Sequence, residues 1–207
     1  MTKVIFDAGI SLDGFSAGDN RGPDNPLGDN GQSIHQWMYR QKAFWKQLGE
    51  DRGTEEGPDN DLIAQTFARS GAYVMGKRMF DEGEVSWPED LYKALVFVLT
   101  HEQREPWQHG ASTTFHFVDT TIEDAVEQAK AAAGGKDVRI QGGANVIQQA
   151  LNAGIVDEFT VHVAPVVIGS GIRLFDGLDR GRFSVEATDV VPSRGVTHLH
   201  YTVTNKS

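Results

Sequence analysis

Short apolar runs recur along the chain with helix-like segments between them, and this alternation constrains the fold more than any other feature. The apolar runs are rich in β-branched residues, as the buried strands of parallel sheets are. The last three runs have no helical segment between them. The pattern predicts one α/β domain over residues 1–207, with a mostly parallel central sheet and a C-terminal antiparallel β-hairpin. The predicted strands are 3–12, 72–75, 95–100, 114–118, 138–141, 158–167, 183–191 and 196–204.

Helical segments are predicted between most of these strands. The clearest begins at Thr121, an N-cap residue followed by two acidic residues, and ends at Gly134-Gly135. Ser33–Leu48 has the apolar spacing of one amphipathic helix. Asp13–Gly31 is rich in Gly, Pro, Asp and Asn and predicts a long loop. The other predicted helices are 61–70, 77–81 and 144–153.

Charge and composition exclude several classes of function. The formal net charge of −10 argues against a nucleic-acid-binding surface, because phosphate contacts need clustered Lys and Arg. The chain has no cysteine, which excludes disulfides, a thiol nucleophile and Cys-ligated metals. No apolar run approaches the roughly 20 residues of a membrane helix, and residues 1–6 have the pattern of a strand rather than of a signal peptide. We therefore expect a soluble, cytoplasmic protein without nucleic-acid or membrane partners.

Two strand-to-helix junctions carry the residues that are best suited to binding phosphate. One is Gly76-Lys77-Arg78-Met79, and the other is Gly142-Gly143-Ala144-Asn145. The free N–H groups and the positive dipole end of a helix start attract anions, and glycine lets a ligand approach the backbone. Each junction can also be an ordinary turn, the first with solvated cations and the second with a positive φ. Because both follow strands of one parallel sheet, we expect them at the same edge, where such sheets bind ligands.

Other motifs are incomplete or absent. Gly169-Ser170-Gly171 lacks the third glycine of a dinucleotide-binding fingerprint, and the chain contains neither a P-loop nor a GxSxG elbow. His198 and His200 alternate on the last strand and project from one face, which we interpret as a solvated face rather than a metal site. No metal site is predicted.

Two carboxylates are candidates for catalysis. Asp13 follows the first strand, and Asp61 begins a helix that we expect to face the cleft. Either can anchor or protonate a nitrogen-containing ring. The alternative interpretations are a turn aspartate for Asp13 and a helix cap for Asp61.

Five motifs in order resemble the dihydrofolate-reductase-like superfamily, in particular the branch that contains the reductase domain of riboflavin biosynthesis. The resemblance spans roughly Val4 to Val203 and implies the three-layer dihydrofolate-reductase-like fold. The matching segments are Ser11–Gly14, Val74–Phe80, Val96–His101, Ile140–Ala144, and Asp157–Phe159 with Ala164–Gly171 and Leu174–Phe175.

The resemblance also implies an NADPH site. It places Gly142, Gly143, Ala144 and Asn145 at the pyrophosphate and implies a cis peptide between the two glycines. The remaining implied contacts are Gly76, Lys77, Arg78 and Met79 at the other helix start, Thr100 and His101 beside the adenosine 2′-phosphate, and Ala8 and Ile10 beside the nicotinamide, with the glycine-rich loop after Asp13 as a lid.

The function implied is NADPH-dependent hydride transfer to a small heterocycle, such as a 5-amino-6-(5-phosphoribosylamino)uracil-like pyrimidine of riboflavin biosynthesis, and the family analogy implies a homodimer. The chain departs from the family at Lys77, where Arg is usual, and it lacks the Leu-Pro-Trp segment of true dihydrofolate reductases. Residues 20–60 form an insertion-like stretch rich in aromatics. Dihydrofolate reductase proper, and a non-catalytic nucleotide-binding module on the same fold, are the alternatives.

Overall fold

A computed structural model of the chain describes residues 1–206. Its strands are β1 (Val4–Ile10), β2 (Phe15–Ala17), β3 (Ser70–Gly76), β4 (Leu95–Leu99), β5 (Trp107–Gln108), β6 (Thr114–Val118), β7 (Asp137–Gly142), β8 (Glu158–Val163), β9 (Ile172–Arg173), β10 (Phe183–Pro192) and β11 (Thr197–Asn205). Its α-helices are α1 (Lys42–Gln47), α2 (Pro58–Arg69), α3 (Lys77–Gly83), α4 (Ile122–Ala132) and α5 (Ala144–Asn152), and 3₁₀ turns span Gly31–His35 and Met38–Arg40.

Nine of the strands form one sheet in the order β10-β11-β8-β1-β7-β3-β4-β6-β5. The six strands from β8 to β6 run parallel to one another. At one end of the sheet β11 pairs antiparallel with β8 and with β10. The prediction of a mostly parallel sheet with a C-terminal antiparallel pair is confirmed.

The two faces of the sheet differ in chemistry. On one face, apolar side chains of β1, β3 and β7, such as Phe6, Val74 and Ile140, form one buried cluster with apolar residues of α4 and α5. The other face carries polar side chains of the central strands, including Asp7 and Arg139, and is covered by α2 and the 3₁₀ turns. Such an uneven distribution of polarity places a polar site under the second layer of helices.

The boundaries of α4 follow from its capping residues. The Thr121 side chain accepts a hydrogen bond from the Asp124 N–H at 3.2 Å, and Gly134 and Gly135 adopt φ of 60° and 84° just after the helix. A positive φ disfavours side chains with a Cβ, so the glycines end the helix. This predicted helix is confirmed.

The single helix predicted over Ser33–Leu48 is wrong. Two 3₁₀ turns and the short α1 occupy this stretch, separated at Gln41, which is extended (φ −82°, ψ 132°). The buried Gln41 side chain donates to the Trp37 carbonyl at 3.1 Å, so a local side-chain hydrogen bond competes with helix continuation.

The predicted long loop Asp13–Gly31 contains a short strand that the sequence did not indicate. Within it β2 pairs antiparallel with β9. The following segment folds back on itself, since the Gly18 N–H donates to the Leu27 carbonyl at 2.9 Å and the Asp29 N–H donates to the Asp19 carbonyl at 2.8 Å. A Cβ on Gly18 would lie 1.9 Å from the Asp29 carbonyl oxygen, so only glycine permits this close approach.

The longest helix, α2, has 12 residues. Across residues 1–206, no helix combines the length and apolar character needed to span a lipid bilayer.

Candidate functional site

A cleft of about 460 Å³ lies between the polar face of the sheet and the segments that cover it. Its floor is formed by β1, β7 and β8, and its wall by α2 and the aromatic residues of 31–48. At one end the cleft reaches the junction between β7 and α5.

The β7–α5 junction lies open to the cleft. The Gly142–Gly143 peptide is cis, as the resemblance implied, and Gly142 has a φ of 123°. A Cβ on Gly143 would meet nothing closer than Arg21 Nη1, 4.0 Å away. Ala144 begins α5, and the first N–H groups of a helix have no intrahelical acceptor. Gly142, Gly143 and Ala144 line the cleft, whereas Asn145 is exposed beyond it.

The β3–α3 junction contributes only its last predicted residue to the cleft. Met79 lines it, with its sulfur 3.4 Å from the position of a Cβ on Gly142. Gly76 packs against α5, because an added Cβ would lie 2.9 Å from Val146 Cγ2. The Lys77 ammonium already pairs with two carboxylates, Asp81 at 2.6 Å and Glu102 at 3.0 Å. The Arg78 side chain is exposed.

Thr100 and His101 lie outside the cleft, at the end of β4. The Lys77–Glu102 ion pair connects this segment to the start of α3. Thr100 Oγ1 accepts a hydrogen bond from the Glu102 N–H at 3.0 Å, and the 95% exposed His101 side chain lies 2.6 Å from Asp119. The structure thus brings the predicted 2′-phosphate residues near Lys77, on the open surface.

Of the two residues predicted beside a nicotinamide, Ala8 lines the cleft and Ile10 packs against the large apolar cluster. Asp13 lies at a turn, where its carboxylate accepts hydrogen bonds from the Gly169 N–H at 2.8 Å and the Ile168 N–H at 3.3 Å. Asp61 is exposed and lies in a second, polar groove between α2 and the C-terminal strands. The helix faces the cleft through other residues, namely Leu62, Ile63, Thr66 and Phe67.

An ion pair that the sequence did not reveal forms part of the cleft floor. Arg139 Nε and Nη2 donate to the two carboxylate oxygens of Asp7 at 2.6 and 2.9 Å, a bidentate geometry. Burial raises the pKa of Asp7, but the charges of Arg139 and His162 outweigh burial and hold that pKa well below its ordinary value. Asp7 is therefore an anion in the floor of the cleft.

Two histidines in edge-to-face contact continue this network away from the cleft. His162 Nε2 lies 3.4 Å from Asp7 Oδ2, and His162 Nδ1 lies 2.7 Å from His198 Nδ1. His198 Nε2 lies 3.1 Å from Asp59 Oδ1, and the Ser193 hydroxyl donates to Asp59 Oδ2 at 2.7 Å. The network joins β1, β8, β11 and α2.

The interpretation of His198 as part of a solvated face is wrong. Its side chain is fully buried, because the first turn of α2 and the ring of Trp37 cover this part of β11. His200, on the same face, is partly buried and hydrogen-bonds with Thr160 Oγ1 at 2.8 Å.

A third histidine, His35, lies at the edge of the cleft over Gly9. A Cβ on Gly9 would lie 2.9 Å from His35 Cε1, so the ring packs closely on the backbone of β1. Burial, reinforced by the charge of His162, lowers the pKa of His35 to about 4. His35 is consequently neutral at physiological pH.

Four buried side-chain atoms in residues 1–206 lack a hydrogen-bond partner, and all four belong to residues that line the cleft. Two are donors and two are acceptors. Natural structures satisfy nearly all buried polar groups, so a set concentrated in one cavity indicates a place for a polar ligand. The atoms are Trp37 Nε1, Arg139 Nη1, Glu82 Oε1 and Gln141 Oε1.

A protein family and one sequence relative match most of the chain. A protein-family model described as the RibD C-terminal domain matches residues 2–192. The uncharacterized protein YyaP of Bacillus subtilis (strain 168) is 28% identical over 182 residues, which are 84% of this chain and 80% of YyaP.

Solved structures share the fold over nearly the whole chain. A putative riboflavin biosynthesis protein from a Shewanella species has a TM-score of 0.68 at 22% identity, with 99% of each chain covered. A pyrimidine reductase-like protein from Corynebacterium diphtheriae has a TM-score of 0.59 at 17% identity, covering 99% of this chain and 93% of that one. Dihydrofolate reductase from Enterococcus faecalis, solved with NADP(H) and RAB-propyl, has a TM-score of 0.55 at 12% identity, covering 99% and 97%. The fold is dihydrofolate-reductase-like, as predicted.

Proposed function

The chain belongs to the RibD C-terminal domain family, and from this premise we propose that it is an NADPH-dependent reductase that transfers a hydride to a small heterocycle of the pyrimidine class. One observation carries the proposal. The open glycine junction and the polar floor, two sites of different chemistry, lie in the same cleft. A hydride transfer needs two ligands side by side, and the cleft offers adjoining surfaces for both.

The junction end fits the pyrophosphate of a dinucleotide. Gly143 has open space beside its backbone, and the first N–H groups of α5 lie at a helix start. Arg21 Nη1 lies 4.0 Å from the position of a Cβ on Gly143. Met79 and Ala8 would flank the nicotinamide, and the predicted contacts at Gly76–Arg78, Thr100, His101 and Asn145 would hold the outer part of the cofactor.

The floor end fits a flat ring with both donors and acceptors on its edge. Arg139 Nη1 and Trp37 Nε1 supply donors, whereas Gln141 Oε1 and Glu82 Oε1 supply acceptors. Phe44, Phe67 and Trp87 provide apolar surface on the wall. A pyrimidine with carbonyl and amino groups, of the kind reduced in riboflavin biosynthesis, matches this pattern.

When bound, the nicotinamide supplies the hydride. The residues of the chain orient the two rings, exclude water and supply the proton that completes the reduction. Asp7 and Glu82 are the two carboxylates that line the cleft, and Asp7 would hold an N–H edge of the substrate. The roles predicted for Asp13 and Asp61 are tested separately, since Asp13→Ala and Asp61→Ala should lower turnover if either takes part.

The proposal is tested by following loss of NADPH absorbance with a panel of aminopyrimidines and dihydrofolate. We expect turnover with an aminopyrimidine and a lower kcat/KM with dihydrofolate. A preference for dihydrofolate would identify a dihydrofolate reductase, and NADPH binding without turnover of any substrate would identify a nucleotide-binding module. We also propose a homodimer, which light scattering during size-exclusion chromatography tests.

A further inference from the structure

Two buried histidines, one lining the cleft and one behind it, form a hydrogen-bonded network with a carboxylate at each end. The network runs from Asp7 through His162 and His198 to Asp59, with contacts of 3.4, 2.7 and 3.1 Å. The Trp37 ring lies against both imidazoles, with ring centroids 5.0 and 4.9 Å apart, and shields them from water. Each of the four ring nitrogens takes part in one of the three contacts.

The number of protons on the ring nitrogens of His162 and His198 follows from these contacts. Two imidazole nitrogens 2.7 Å apart must have one proton between them, since two lone pairs or two N–H groups would repel. Each Nε2 faces a carboxylate oxygen, at 3.4 Å for His162 and 3.1 Å for His198, and a proton on each Nε2 would satisfy both contacts. With those protons the two rings hold three, one more than two neutral imidazoles.

The charges around the rings balance that excess proton. With three protons on the rings, the histidine pair would contribute one positive charge and Arg139 another, against the two carboxylates of Asp7 and Asp59. Burial and the charge of His162 lower the pKa of His198, and the hydrogen bond and charge of Asp59 oppose that shift. The other titratable groups near the pair are His35, which is neutral, and His200, whose pKa burial lowers. A neutral network is the arrangement that burial favours, because an unbalanced buried charge is costly.

The position of the pair links it to the cleft. Asp7, Arg139 and His162 line the cleft, whereas His198 lies behind them and Asp59 lies in the first turn of α2. Asp7 is therefore the residue of the network that separates the histidine pair from the part of the cleft that would hold the substrate.

We propose that the His162–His198 pair is a proton store for the cleft, which delivers its excess proton through Asp7 to the substrate during reduction. The inference rests on the proposed function. As the substrate accepts the hydride, His162 Nε2 passes its proton to the Asp7 carboxylate, which passes it on to the substrate nitrogen or oxygen that becomes negative. The shared proton then moves fully onto His162 Nδ1.

The step balances in protons and electrons. The substrate gains one hydride and one proton, Asp7 returns to the carboxylate, and the pair becomes neutral with two protons. Water in the reopened cleft reloads the pair through Asp7. Asp7 relays the proton to the substrate, while His198 and Asp59 are positioning residues that act through His162.

A measurement without cofactor or substrate tests the store itself. In protein labelled with ¹⁵N-histidine, nuclear magnetic resonance reports the protonation of each ring nitrogen. We expect protonated Nε2 atoms in both His162 and His198 at neutral pH, a strongly downfield shared proton, and loss of one proton from both rings in a single step. Two rings that are neutral at neutral pH and titrate independently of each other would overturn the proposal, whether or not the protein turns over any substrate.

A second measurement tests delivery to the cleft. Asp59→Asn removes the carboxylate that stabilises the charged pair, so the alkaline limb of the kcat–pH profile should move to lower pH by about one pH unit while KM stays unchanged. Asp59→Glu should restore the alkaline limb to its original pH. His200→Gln alters a residue on the same strand as His198 but outside the hydrogen-bonded network, and it should leave the limb in place. An unmoved limb in a folded Asp59→Asn variant would contradict delivery by the pair. If that variant does not fold, the ¹⁵N measurement on the unmodified protein still decides.

Discussion

Arg139 holds the carboxylate of Asp7 through two hydrogen bonds, of 2.6 and 2.9 Å, across 132 positions of sequence. The pair joins β7 to β1 in the middle of the sheet, and both side chains line the cleft. One Arg139 nitrogen, Nη1, is left without a partner there. The pair therefore stabilises the sheet and also presents a hydrogen-bond donor to the cleft.

Removing the cation should destabilise the protein strongly. Arg139→Met leaves Asp7 as a buried carboxylate without its main partner, and we expect a loss of about 3–5 kcal/mol in the free energy of unfolding. Urea denaturation followed by circular dichroism measures it. Arg69→Met is the matched control, since Arg69 pairs with Asp137 and Glu158 but its side chain is 41% exposed, and it should cost about 1 kcal/mol or less. Equal losses for the two variants would contradict this assignment.

His35 should make stability depend on pH. Its pKa falls from 6.5 to about 4 on folding, so between these values the unfolded chain binds more protons than the folded protein. Stability from this group is complete above pH 6.5 and is lost as pH falls through 4, by about 3 kcal/mol in total.

Denaturation at a series of pH values compares the protein with His35→Gln, which cannot titrate. The variant should lack this part of the decline between pH 6.5 and 4. Parallel curves for the two proteins over that range would show that His35 titrates normally in the folded state.

Gly143 should matter for the ligand rather than for the fold. A Cβ there meets no atom closer than 4.0 Å, so Gly143→Ala should change the free energy of unfolding by less than about 1 kcal/mol. The methyl group would enter the space assigned to the pyrophosphate, and we expect NADPH affinity to fall at least about tenfold. Gly71→Ala is the contrasting variant, because its Cβ would lie 2.1 Å from the Ala133 carbonyl oxygen and should destabilise the fold. Unchanged NADPH affinity in Gly143→Ala would exclude the junction as the phosphate site.

Arg21 should contribute a positive charge to the site that binds the phosphates of the cofactor. Its Nη2 pairs with the buried Glu82 at 2.5 Å, and its Nη1 lies on the side of Gly143. Arg21→Gln should weaken NADPH binding and make it less dependent on salt. Arg194→Gln, which removes the same charge from an exposed turn, should leave affinity unchanged. Equal effects of the two substitutions would reduce the role of Arg21 to that of overall charge.

The features that sequence patterns predicted well are local ones. The Thr121 cap, the glycines after α4 and the Gly142–Gly143 junction each depend on residues within a few positions of one another. The alternation of apolar runs likewise predicted the main strands, their mostly parallel pairing and the antiparallel C-terminal pair. The resemblance added the cis peptide and the fold name.

Features that depend on distant contacts were not predictable. His198 is buried by Asp59 and Trp37, which lie far from it in sequence, so its alternation on β11 gave no sign of burial. Asp7 has the pattern of any polar residue at a strand, and only the register of β1 beside β7 and β8 brings it to Arg139 and His162. Likewise, the apolar spacing of 33–48 fits one helix, but these side chains pack on different elements, and Gln41 interrupts the helix.

Calorimetric titration of the protein with NADPH tests the central claim most directly, because both the junction and the floor are assigned from one shared cleft. We predict saturable binding of one NADPH per chain, and weaker binding by the folded Gly143→Ala variant. An absence of saturable binding at concentrations of about 1 mM, where even a weak site with a free energy near −4 kcal/mol would fill appreciably, would contradict the account.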